Sequence, residues 1–202
     1  MSGLDEKQRK RIIDRHRDSV TRFGHHPHAL YWSSKEIQEL RFKVLFEVGI
    51  ESGQRILDVG CGFGDLHTWL QAQTTEVDYV GLDLSPDLLQ QARVLHPDVQ
   101  FFEGELFDCK FERESFDWLM LSGAMNENLY DDGAYARQMI ARMFELCRKG
   151  VALNMLNANT MQAHDLQTVN PAKMLEFCQS LSVDCQLRDD YLRNDFTIYM
   201  RK

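Results

Sequence analysis

In RILDVGCGFGDLHTWL, residues 55–70, three glycines, Gly60, Gly62 and Gly64, alternate behind the acidic Asp58. Backbone N–H groups of a tight turn that opens a helix form a cradle for a polar ligand. The spacing narrows the ligand. A dinucleotide turn reads GxGxxG, whereas here the third glycine comes one residue early, in GCGFG, with Cys61 inside it. A triphosphate loop needs Gly-Lys followed by Ser or Thr, and none is present. Asp83 ends the next apolar run, about twenty residues on, where a carboxylate can accept from both ribose hydroxyls. Its other possible role is a turn residue before Ser85-Pro86. Glycine turn and acid together fit an adenosine-bearing ligand without phosphates.

Two further stretches carry candidates for chemistry on that ligand. In TRFGHHPHALYWSS, His25, His26 and His28 surround Pro27 and precede Tyr31 and Trp32. An imidazole here can serve as a general base, and His25 and His26 are the candidates. A metal site is not expected, because the turn contains proline and no carboxylate lies nearby. Trp32 either covers the ligand or packs the core. After FDWLML come Ser122, Gly123, Ala124, Met125 and Asn126, small or polar residues that let a ligand and a second reactant approach closely, although a plain turn would also explain the glycine. Asn154 and Asn157 in LNMLNANT could orient a polar reactant.

These residues need elements to position them. Periodicity predicts helices over 5–20 and 34–48, the second capped at SSKE and carrying Ile37, Leu40, Val44, Leu45 and Val48 on one face. From residue 55 onward, strand-like and helix-like runs alternate: RILDV, then DYVGLDL and PDLLQQARVL, VQFFEG, FDWLMLSG and DGAYARQMIARMFELC, GVALNML and PAKMLEFCQSL. That order predicts an α/β fold, a Rossmann-like, mostly parallel seven-stranded sheet with helices on both faces. Two runs around 183–189 and 195–200 have no helix between them and should form a C-terminal antiparallel hairpin. Ligands of such sheets sit beyond the carboxyl ends of the strands, where the loops after RILDV and FDWLML fall. One domain over 1–202 is expected, with 1–50 as a helical lid segment and 51–202 as the core.

Composition excludes several classes. Five cysteines without a CxxC pair argue against a disulfide framework or structural zinc. Neither an apolar membrane span nor a secretory leader is read, so a cytoplasmic protein is expected. A net charge of −8 disfavours nucleic acid, and the basic run KQRKRIIDRHR, interspersed with acids, reads as the solvated face of an amphipathic helix.

Taken together, the motifs resemble those of class I S-adenosylmethionine-dependent methyltransferases over most of the chain. ILDVGCGFGDL is similar to the family's first motif, GLDLS to its second and FFEGELFD to its third; the closing hairpin ending in DFTIYM also matches. The resemblance implies S-adenosylmethionine as cofactor. It places Asp58, Gly60, Cys61, Gly62 and Gly64 at the methionine end, Asp83 on the ribose, Leu84 beside the adenine, and Glu105 and Leu106 near the adenine amino group. Glu105 stands where the family usually has Asp. Ser122, Gly123 and Trp32 complete the expected cofactor set, and His25, His26 and Asn126 the expected catalytic set. The DNA amino-methyltransferase tetrapeptide is absent, as is the carboxylate pair of magnesium-dependent catechol enzymes. A small-molecule methyl acceptor is therefore expected, the alternatives being a protein or RNA acceptor, or a protein that binds the cofactor without transferring its methyl group.

Overall fold

The computed structural model describes residues 3–73 and 76–202. Its sheet is built from β1 (Arg55–Val59), β2 (Asp78–Asp83), β3 (Gln100–Glu103), β4 (Phe116–Ser122), β5 (Cys147–Asn157), the two-residue β6 (Thr168–Val169), β7 (Asp184–Arg188) and β8 (Asp195–Arg201). The order is β3-β2-β1-β4-β5-β8-β7, with β6 added beside the end of β5. Strands β1 to β5 pair in parallel, whereas β8 runs antiparallel to β5 and to β7. The expected parallel sheet and closing hairpin are present. The short β6 is the strand that periodicity misses, since two residues are too few to show a period.

Side chains alternate across the sheet and so feed two apolar layers. Leu57, Leu119, Val151 and Ile198 pack against Met139, Ile140 and Met143 of α5 (Ala134–Leu146) and Met174 of α6 (Pro171–Gln179). Ile56, Tyr79, Trp118 and Tyr199 pack on the opposite face against Phe42 and Leu45 of α2 (Lys35–Phe46) and Leu66 and Leu70 of α3 (Asp65–Ala72). Each fully buried Leu or Ile contributes about 1.5–3 kcal/mol. The remaining helices are α1 (Glu6–Phe23), closed at its start by a reciprocal Asp5–Gln8 capping box, and α4 (Pro86–Leu95).

The predicted face of α2 is only partly right. Val44 and Leu45 are buried, but so are Gln38 and Arg41, which Ile37 and Leu40 exceed in exposure. The helix turns a polar stripe inward because the space beneath it is a cavity rather than core.

Chain order reverses at β1, which lies between β2 and β4. The loops after β1 and β4 therefore flank the crevice where open α/β sheets bind ligands.

Sheet packing leaves no room for a methyl group at Gly150. A Cβ on Gly150 would run into the Met200 carbonyl of β8 and come within 2.6 Å of the Trp118 ring. Gly150→Ala is expected to destabilise the protein by about 1–3 kcal/mol, read as a lowered denaturation midpoint, because backbone cannot yield as a flexible side chain would.

Candidate active site

The floor of the site is backbone. At the end of β1 the chain turns through Gly60, Gly62 and Gly64, with φ of 76°, 56° and 80°, a region that disfavours any side chain. The Leu82 carbonyl accepts from the amides of Gly60 at 2.7 Å and Cys61 at 3.0 Å. Asp83, at the end of β2 and 7 % exposed, accepts from Gly62 N at 2.9 Å through one carboxylate oxygen and from Ser85 N at 2.8 Å through the other. Each oxygen keeps a lone pair for a further donor. That arrangement suits two neighbouring hydroxyls.

Above the floor is a cavity of about 860 Å³, within the range of small-molecule sites. Asp58, Gly60, Cys61, Gly62, Asp83, Leu84, Glu105, Leu106, Ser122, Gly123, Asn126 and Trp32 all line it. Gly64 does not; it caps α3. His25 and His26, expected as general bases, lie outside. His25 is exposed, 3.2 Å from Asp65, and the His26 ring accepts from His28 N at 3.2 Å to cap a turn over 27–30. Asn154 and Asn157 are likewise absent from the lining. Asn154 is fully buried behind Ser122, which donates to it at 3.4 Å, and Asn157 organises a turn by accepting from Asn159 N. Among the described residues no group of three His, Cys, Asp or Glu could hold a metal ion.

Several groups on the cavity were not singled out in the sequence. Arg41 is 5 % exposed and forms a two-point ion pair with Asp195 through Nε and Nη2, while its guanidinium lies over the Trp32 ring. Its third nitrogen, Nη1, points elsewhere: it lies 3.3 Å from where a Gly123 Cβ would be, as does Asn126 Nδ2. The glycine leaves a notch that these two donors face. His16 brings a half-buried imidazole whose Nδ1 has no hydrogen-bond partner among the described residues. Burial holds it below the ordinary histidine value against the opposing pull of Asp83. A helix-face arginine or histidine amid many charged residues gives no sequence signal of turning inward.

Within the 1–50 segment expected as the lid, Tyr31 and Trp32 line the cavity, and so do Ile12, Arg15 and His16 of α1 with Leu4 just before it, which form the main roof. The basic run of α1 is not simply solvated. Arg9 pairs with Glu105 and Asp108, Arg11 and Arg15 with Glu127, and Arg17 with Asp87.

A methyltransferase-domain family model matches residues 56–150. The Mycobacterium tuberculosis protein Rv1506c, which is named as a methyltransferase, is 31% identical over 161 residues, covering 73% of this chain and 92% of its own. Trans-aconitate 2-methyltransferase of Escherichia coli is 31% identical over 85 residues, 38% of this chain and 34% of that one. A solved Haemonchus contortus phosphoethanolamine N-methyltransferase 2, in complex with phosphomonomethylethanolamine and S-adenosylhomocysteine, superposes with a TM-score of 0.64 at 18% identity, over 86% of this chain and 46% of that one.

The first acid of the glycine turn gives a test of its own. Asp58 is buried, accepts from Tyr79 Oη at 2.6 Å, and burial raises its pKa to about 7 despite that hydrogen bond. A raised carboxylate binds its proton more tightly folded than unfolded, so its contribution to stability falls as pH rises from about 4 to about 7. Asp58→Asn should remove this dependence. The difference in melting temperature between variant and parent is expected to shift in favour of the variant across that window and to level off above it; parallel profiles would contradict the assignment.

Proposed function

Because the chain belongs to the class I S-adenosylmethionine-dependent methyltransferase family, we propose that it transfers the methyl group to a small-molecule acceptor inside the roofed cavity. The observation that carries the reading is the roof: α1 and the segment around Trp32 cover the cavity, and a polymer would need an open groove. The net charge of −8 and the low-molecular-weight acceptor in the name of the E. coli relative point the same way.

The residues present fit the cofactor. Asp83 has the two free lone pairs that ribose hydroxyls require. Asp58 is the anion for the cofactor's ammonium, and an ammonium there would draw its raised pKa down. Arg41 supplies a buried cationic nitrogen for the carboxylate, since Nε and Nη2 are spent on Asp195 and Nη1 is not. Leu84 and Leu106 flank the adenine, and the turn of Gly60, Cys61 and Gly62 forms the floor. When bound, the cofactor supplies a sulfonium-activated methyl group open to in-line displacement.

What the chain then has to do is align and dehydrate. Holding an acceptor atom about 3–3.5 Å from the methyl carbon can supply roughly 7–11 kcal/mol without a general base. Asn126, fixed by the Gln167 N–H on its carbonyl at 2.9 Å, presents its amide beside Ser122 and Gly123 and can orient a polar acceptor. His25 and His26 are too far outside to serve unless the segment moves. His16 is the imidazole that faces the cavity, and in neutral form it can take a proton.

Incubation with methyl-labelled S-adenosylmethionine and fractionated cell extract tests the acceptor class. Label is expected in a low-molecular-weight product, and label confined to protein or RNA would contradict the reading. Asp83→Ala should weaken S-adenosylhomocysteine binding by about a hundredfold, since two charge-assisted hydrogen bonds are lost and partly replaced by water. Calorimetry gives that ratio directly.

A further inference from the structure

Glu105 is the residue whose surroundings depart most from its expected role. Its side chain is 3% exposed. Leu4 N donates to both oxygens, at 2.9 and 3.2 Å, Tyr135 Oη donates to one at 2.6 Å, and Arg9 adds an ion pair. Gly3 passes so close that a Cβ there would overlap the carboxylate. No lone pair is left aimed at an adenine. The group expected to read the cofactor is instead gripped by the N-terminal strap.

The rest of α1 is fastened in the same way to two other places: Arg11 and Arg15 to Glu127 in the loop after β4, and Arg17 to Asp87 at the start of α4. These pairs are half-exposed, with Arg11 at 43%, Arg15 at 33% and Arg17 at 52%. Exposed pairs are individually weak and are screened by salt. The face that α1 turns inward carries the unpartnered Nδ1 of His16, next to Asp83, Glu127 and Arg15, so the closed roof presents a polar atom to the ligand space.

We propose that α1 is a gate over the cofactor site with Glu105 as its catch: the helix swings away to admit S-adenosylmethionine, closes through its arginines, and leaves adenine recognition to other groups. This rests on the cofactor reading above. Arg9 on buried Glu105 is the strong point of closure, and the exposed pairs set how often the gate opens.

Stopped-flow binding of S-adenosylhomocysteine, followed by tryptophan fluorescence, tests it. The ligand has no net charge at neutral pH, so salt acts on the gate and not on electrostatic steering. Raising NaCl from about 0.05 to about 0.5 M should speed association in the parent protein. Glu127→Gln should speed it about tenfold at low salt, roughly what two half-exposed pairs are worth together, and flatten the salt response. Glu105→Gln should leave unchanged the ratio of affinities for S-adenosylhomocysteine and its inosine analogue, which has oxygen in place of the adenine amino group. Salt-insensitive association in the parent, or a ratio that collapses toward one in Glu105→Gln, would overturn the gate while leaving the cofactor site standing. No binding of S-adenosylhomocysteine at all would overturn both.

Discussion

The carboxylate of Asp83 joins the parts on which the site depends. One oxygen holds the amide of Gly62 in the turn after β1, and the other holds the amide of Ser85 at the entrance to α4. With Leu82 accepting from Gly60 and Cys61, the ends of β1 and β2 are locked at a fixed separation. The lock works only because Gly60 and Gly62 take positive φ, and because Gly60 leaves room for Ala124 from the loop after β4. Three loops thus meet on one carboxylate and one bare backbone turn. A floor built this way needs no rearrangement to receive a ligand, which lowers the entropic cost of binding.

Charge completes what the backbone begins. The acids of the cavity would repel one another if left alone, and arginines answer three of them: Arg41 for Asp195, Arg9 for Glu105, and Arg11 with Arg15 for Glu127. Among the described residues Asp58 has only the Tyr79 hydroxyl, and burial keeps its pKa raised. Arg9, Arg11, Arg15 and Arg17 of α1 all pair with carboxylates elsewhere in the molecule.

Much of this was legible in the sequence, for physical reasons. The alternation of apolar runs predicted the sheet because burial on two faces imposes it, and Ser34 marked the start of α2 because its hydroxyl accepts from Ile37 N. Gly60, Gly62 and Asp83, which line the cavity, stand out in the sequence because close backbone approach and strand-end placement restrict residue type. Arg41 and His16 were not found, since a charged residue facing a cavity has the same type and spacing as one facing water. His25 and His26 misled for the converse reason: residue chemistry suggested a base, but only tertiary packing decides which wall of a loop faces inward. Glu105 also accepts a hydrogen bond across 101 residues, from Leu4, that no local pattern reports.

The glycine turn and Asp83 together fit an adenosyl ligand without phosphates. Calorimetric titration of the parent protein with S-adenosylhomocysteine and, separately, with NAD tests this most directly. Saturable binding of S-adenosylhomocysteine at one site per chain, with no heat from NAD above dilution, is the expected result. Saturable NAD binding with no response to S-adenosylhomocysteine would contradict it.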